Sequence, residues 1–361
     1  MSDRPAGERP SSSASSAART VILGIVVFGA TLILLLGLTD VVSRPPAASG
    51  TATGVGPTRS ARSGPSASGG GASASASPPA GASSAASPPA SSSASLAAGD
   101  PVLVGAGNIA DCGQADAAAT ARLLDGIGGT VFTAGDNAFP DGSSVAYRDC
   151  YGPTWGWQAA RTRPAPGDVD WGTAHLAGYL GTFPKASTDG HPWYGYDLGT
   201  WHVIVLDSDC AKVGGCGPDS AQGRWLAADL AATKASCTLA VWHHPRFSSG
   251  RGGDVAAVAP FWDALYASGA DVVINAHDAD YERFAPQDPA GRADRDRGLR
   301  EFVVGTGGTP LGTFQAPRPN SELRVSLAHG VLKLSLHTGS FDWTFVPTED
   351  LFADHGTATC H

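Results

Sequence analysis

Six short apolar runs recur between residues 102 and 308: VLVGAGN, TVFTAGD, HVIVLDS, LAVWHH, VVINAHD and EFVVGTGG. Each is brief, rich in Val, Ile, Leu and Phe, and bounded by Gly or polar residues, as a buried strand is. Helix-like segments lie between several of them. QADAAATARLLDGI (114–127) has apolar residues at helical spacing, PDSAQGRWLAADLAATKAS (218–236) opens on a helix start, and VAAVAPFWDALYASG (255–269) is a third. Strands alternating with helices predict an α/β domain with largely buried strands. The tail, HGVLKLSLHTGSFDWTFVP, switches to alternation in two runs joined by HTGS, which predicts a β-hairpin.

Four of the apolar runs end in a side chain able to hold a ligand: Asn108, Asp136, His243 or His244, and His277. In open α/β sheets, ligands bind beyond the carboxyl ends of the strands. One polar ending is ordinary, because every strand must stop. Four, with Asp and His among them, favour a shared site.

The first hundred residues read differently. TVILGIVVFGATLILLLGLT (20–39) carries no charge and is long enough to span a bilayer core of roughly 30 Å. It is too long for a signal-peptide core and is followed by Asp40, which favours an uncleaved anchor; PPAAS downstream keeps secretion after cleavage as the alternative. Arg4, Arg9 and Arg19 before the span place the N-terminus in the cytoplasm and the rest outside. The expected organisation is a cytoplasmic tail (1–19), a transmembrane anchor (20–39), a Ser/Ala/Gly/Pro-rich disordered linker (40–98) and one domain (99–361).

Six Arg against three acids give residues 1–98 a net charge of +3, so of the chain's −9 the domain carries about −12. An acidic domain is a poor nucleic-acid binder, because neutralising phosphates needs Lys and Arg. Cys112, Cys150, Cys210, Cys216, Cys237 and Cys360 all follow the span, and an even number on the oxidising side argues for disulfides. Cys210 and Cys216 enclose a Gly-rich loop and form the natural local pair. Cys112–Cys150 and Cys237–Cys360 would follow, although spacing leaves connectivity open. The absence of C-x-x-C speaks against a zinc cluster.

Four blocks, GDNAFPDG (135–142), RPAPGDVDW (163–171), VWHHPRFSSG (241–250) and AHDADYERF (276–284), resemble those of the calcineurin-like metallophosphoesterases, closest to the purple-acid-phosphatase-like branch. The resemblance covers essentially residues 101–361. It implies an α/β fold, a four-layer α-β-β-α sandwich, and a site where two metal ions clamp a phosphoester and supply a hydroxide. Laid onto this chain, the first metal seat uses positions 108, 136, 139 and 279. These are Asn108, Asp136, Phe139 and Ala279, so only the bridging Asp136 is intact. The second seat uses Asp136, Asp168, His243 and His277, all able to bind a divalent ion. These positions favour one ion (Zn, Mn or Fe) over a dinuclear centre, with a site that binds no metal as the alternative. Asp111 and Asp116 near Asn108 are the only substitutes in sight for a second ion.

The third block normally carries a histidine that contacts phosphate; here it is Val169. Loss of such a group costs ~10²–10⁴-fold in rate. His244 could contact substrate, Asp170 could orient a ligand histidine, and Arg161, Arg163 and Arg283 could contact phosphate. SSGRGGD (248–254) reads as a mobile loop beside the site, and Tyr281 and Glu282 as packing and hydrogen-bonding residues. GTGGTP (305–310) lacks the lysine of a phosphate-binding loop and reads as a turn. WGW (155–157) reads as core. The expectation is a membrane-anchored, extracytoplasmic phosphoester hydrolase of reduced or altered activity, acting on a small phosphoester or a cell-envelope ligand. The alternative is an inactive pseudo-phosphatase that binds a ligand or partner.

Overall fold

The computed structural model describes residues 99–361. The tail, span and linker expected over 1–98 lie outside the described residues. Among the described residues no helix is long and apolar enough to cross a membrane.

Two mixed β-sheets form the frame. The first contains β1 (Val102–Ala106), β2 (Thr130–Ala134), β3 (Thr162–Ala165), β11 (Gly330–His337), β12 (Ser340–Pro347) and β13 (Asp354–Thr359), in the order β13-β12-β11-β1-β2-β3. The second contains β4 (Tyr194–Leu198), β5 (Trp201–Val205), β6 (Cys237–Val241), β7 (Val272–Asn275), β8 (Tyr281–Phe284), β9 (Arg300–Val304) and β10 (Ser321–Val325), in the order β10-β8-β9-β7-β6-β5-β4. All six apolar runs are strands, and β1-β2-β3 and β5-β6-β7-β9 are parallel. Their carboxyl ends therefore share a side within each sheet. The expected hairpin is β11–β12, turning at Thr338 and Gly339.

Side-chain alternation sorts the second sheet into two cores. Val203, Val205, Leu239, Val241, Val272, Ile274, Phe302 and Val304 face the first sheet. Ile204, Ala240, Trp242, Val273 and Val303 face outward, against helices α4 (Ala221–Ala232) and α5 (Ala259–Ser268). This is the period of two that a strand imposes. Aromatic pairs join the sheets: Trp201 with Phe341, Phe302 with Trp343, and Tyr281 with Phe345. Helix α1 (Asp116–Gly126) packs beside β11 and the helical segment Trp155–Arg161. Ser220 caps α4 by accepting from Gly223 N, and Gly269, with φ 77°, ends α5.

Five strands went unforeseen: β3, β4, β8, β10 and β13. β10 and β13 are edge strands with exposed polar residues, so neither carries a buried apolar run. The three disulfides are Cys112–Cys150, Cys210–Cys216 and Cys237–Cys360. The third ties the start of β6 to the residue following β13, and so joins the two sheets.

Candidate metal centre

Four loops at the carboxyl ends of β2, β3, β6 and β7 converge. Asp168 Oδ1 lies 3.0 Å from His243 Nε2, 3.3 Å from His277 Nδ1 and 3.7 Å from His244 Nε2. One ligand atom from each of these four residues lies within 4.8 Å of all the others. Asp136 Oδ1 is 3.4 Å from His243 Nε2 and accepts from Val169 N at 2.9 Å. Three imidazoles and a carboxylate fit Zn²⁺, Mn²⁺ or Fe²⁺. The tautomers fit as well. His243 Nδ1 lies 2.8 Å from Ala134 O, so it donates there and Nε2 is left to the cluster. Ser208 Oγ holds His244 Nδ1 at 2.9 Å.

The backbone is bent to make this convergence. Asn108, Asp136 and His277 have φ values of 53°, 53° and 65°. Asn and Asp tolerate the left-handed region, but histidine adopts it only where its surroundings enforce it. Asn108 does the enforcing: its Nδ2 donates to His277 O at 3.1 Å, and its Oδ1 accepts from His277 N at 3.2 Å. Close approach does the rest. A Cβ on Gly167 would fall 2.4 Å from Asp136 Oδ1 and 2.9 Å from His243 Cγ.

Electrostatics follow from burial and proximity. Burial disfavours charge on Asp168, but hydrogen bonds from His243 and His277 overcome it and hold the carboxyl well below the usual range. His243 is fully buried, which disfavours its cation, yet Asp136 and Asp168 raise its pKa well above normal. Burial, with His243 and His277 as neighbours, pushes His244 down to about 3 and keeps it neutral.

Several expected site residues lie elsewhere. Asp170 touches no histidine. Its carboxylate is fully buried and accepts from Tyr147 Oη at 2.6 Å, Asn137 Nδ2 at 2.8 Å and Gly167 N at 2.9 Å. It braces the loop that carries Asp168, and the orienting role falls to Ala134 O because that carbonyl is what faces His243 Nδ1. Arg161 donates to Leu124 O in the last turn of α1 and to Gly129 O beyond it. Arg283 pairs with Asp354 and Glu322. Arg163 lies over the Tyr196 ring. None of the three is drawn into the cluster. Asp111 accepts from Gly113 N and Asp116 faces His329, so neither belongs to the group. Phe139 and Ala279 offer no ligand atom, and both polar atoms of Asn108 are engaged with His277.

The loop 248–254 is pinned, not loose. Asp278 accepts from Ser248 Oγ, Gly252 N and Gly253 N, and Glu282 accepts from Ser249 N and Oγ. The loop lies on the site: a Cβ on Gly252 would fall 2.7 Å from His277 Cδ2. Tyr281 donates to Asp354.

Ser208 and Asp209, after β5, were not singled out. Asp209 Oδ2 is buried without a partner among the described residues, and the carboxyl is pushed up to about 6 by burial, partly offset by His243. The signal was present, because HVIVLDSD is one more apolar run ending in polar residues.

No family model and no curated protein matches the sequence, but solved structures match the fold. The purple acid phosphatase from yellow lupin (Lupinus luteus) seeds aligns at a TM-score of 0.57 and 16% identity, over 72% of this chain and 53% of that one. This chain thus spans about half the length of the lupin enzyme. GAP50, described as the anchor in the inner membrane complex of Plasmodium, aligns at 0.54 and 14% identity, over 71% of this chain and 88% of its own. PhoD aligns at 0.50 and 13% identity, over 72% and 68%. With two sheets packed face to face and histidines and aspartates gathered at strand ends, the described domain has the calcineurin-like metallophosphoesterase fold.

Proposed function

We propose that this chain is a metal-dependent phosphoesterase-type protein holding a single divalent ion, tethered outside the membrane by residues 20–39. The observation that carries the reading is the convergence of His243, His244 and His277 on one oxygen of Asp168. His244 is a ligand in this reading, and Asp136 is a neighbour that receives the Val169 amide. A bound divalent ion supplies Lewis acidity to a phosphoryl oxygen. The chain's own residues would hold it: Ala134 O and Ser208 orient two of the imidazoles, Asn108 holds the third through its backbone, and the loop 248–254 packs against His277. The exposed Arg251, next to Gly252 on that loop, is a cation able to meet an anionic substrate in this reading. Three disulfides support the extracytoplasmic placement.

Hydrolysis in this reading is slow. The Asp168 carboxyl, held well below the usual range, offsets part of a single ion's charge, and no histidine replaces Val169. A second reading, a ligand-binding domain without turnover, is favoured by Asn108, whose amide is committed to the His277 backbone, and by Phe139 and Ala279. Metal analysis of the full chain in detergent, with an aryl-phosphate assay on the same sample, separates them. The expected result is one ion per chain, lost in His277→Ala, with slow turnover lost alongside it. An ion without turnover selects the binding domain. Two ions, or none after reconstitution, sinks the single-ion centre.

A further inference from the structure

We infer that a second site, separate from the metal centre, lies between the edge strands β3 and β4 and takes a small phosphorylated sugar. β3 ends one sheet and β4 ends the other, so the sandwich is open between them. A cavity of about 610 Å³ fills the opening. That is within the range of about 300–1,000 Å³ typical of small-ligand sites. Arg163 on β3 and Lys185 stand in its wall, and no Asp or Glu lines it. Neither cation makes an ion pair among the described residues, and the only side-chain hydrogen bond of Arg163 there is to Thr162 O. Two cations without an ion-pair partner, Arg163 over the Tyr196 ring and Lys185 in solvent, reverse the local sign in a domain of net charge about −12 and so favour an anion.

The rest of the lining says what the anion is attached to. Tyr194 and Tyr196 stack at 6.2 Å, and Tyr194 Oη reaches across the sheets to Pro164 O at 2.9 Å. Tyr196 also lines the cavity, while its Oη is turned away from solvent and buried without a hydrogen-bond partner among the described residues. Phe183 and Pro184 add apolar surface beside the hydroxyls of Ser187 and Thr188. Cations, hydroxyls and flat apolar faces together match a polyhydroxylated ring bearing a phosphate. Asp136, Asp168, His243, His244 and His277 are all absent from the lining, so this inference stands apart from the metal centre.

The test is calorimetric titration of the full chain with glucose 6-phosphate, in the presence of a chelator that removes any ion from the metal centre. Saturable binding is expected, weakened about tenfold or more by Arg163→Ala and by Lys185→Ala, and unchanged by His243→Ala. Lys185 is exposed on a loop, so its replacement reports on the site even if the Arg163 variant fails to fold. No saturable binding tighter than about 1 mM overturns the inference. So does binding that survives Lys185→Ala unchanged, or inorganic phosphate or glucose alone binding as tightly as the sugar phosphate.

Discussion

Asn108 shows how one side chain can serve a centre it does not ligate. Both ends of its amide hold the backbone of His277, a residue with φ 65°. Replacement by alanine leaves the His277 N–H and C=O without these partners and frees the turn. Asn108→Ala is expected to cost about 1–3 kcal/mol in denaturant unfolding. It should also weaken metal binding by about 10–100-fold, the usual effect of removing an outer support. A chelator-competition titration measures the second effect, and unchanged affinity would show that His277 holds its conformation unaided. Asn108→Asp adds a carboxylate but leaves Phe139 and Ala279, neither of which offers a ligand atom, so on the proposed single-ion reading the stoichiometry is expected to stay at one ion.

At the level of elements, the segment 248–254 depends on a neighbouring strand end for its order. Asp278 accepts from Ser248, Gly252 and Gly253, and hydrogen bonds to a charged group contribute about 1.5–3 kcal/mol each. Asp278→Asn replaces one acceptor oxygen by an NH2 donor and keeps the volume. Hydrogen exchange should then quicken at residues 248–254 and stay unchanged in β6 and β7. Faster exchange in the strands as well would mean that Asp278 supports the sheet and not the loop alone. The glycine and serine content of this stretch suggests mobility on composition. The acids that pin it lie some 30 residues downstream, and only the fold brings them to it.

The whole molecule is held across its layers by a covalent link and by ionic ones. Cys237–Cys360 closes a separation of 123 residues between the two sheets. Its removal as a Cys237→Ala, Cys360→Ala pair is expected to cost about 2–5 kcal/mol, read by denaturant unfolding. His202 on β5 bridges Asp197 on β4 and Asp229 on α4, at 2.8 and 2.7 Å. The hydrogen bond that His202 donates to Asp229 is the main reason its pKa is raised. A raised histidine contributes stability in full below its unfolded value of about 6.5 and loses it as pH climbs through the folded value. His337, raised by Asp100 first and then Asp342, acts in the same direction. Asp354 sets the acid side: burial opposes its charge, but Arg283 and Tyr281 hold its carboxyl below normal. Its contribution is therefore present above the unfolded value and lost as pH falls through the folded one. Melting temperature against pH should fall above about pH 6.5, and His202→Gln should flatten that limb. An unaltered slope in the variant would remove His202 from the account.

What the amino-acid sequence determined alone is the part of the protein written in local periodicity and short blocks. The six apolar strands, the helices near 116, 221 and 259 and the closing hairpin all follow from spacing, because burial on one or both faces imposes it. The placement of Asn108, Asp136, His243 and His277 at strand ends was legible for the same reason, and parallel pairing then gathers them. What only the tertiary structure decided are matters of long-range approach. His244 converges on Asp168 because Ser208, 36 residues away, holds its other ring nitrogen. Asp170 turns from the histidines to Tyr147 and Asn137, and the three arginines serve other elements. The polar edge strands went unseen because half-exposed strands carry no buried pattern. The side chain's chemistry sets what it is able to hold, but its neighbour in space, which no local spacing encodes, sets what it does hold.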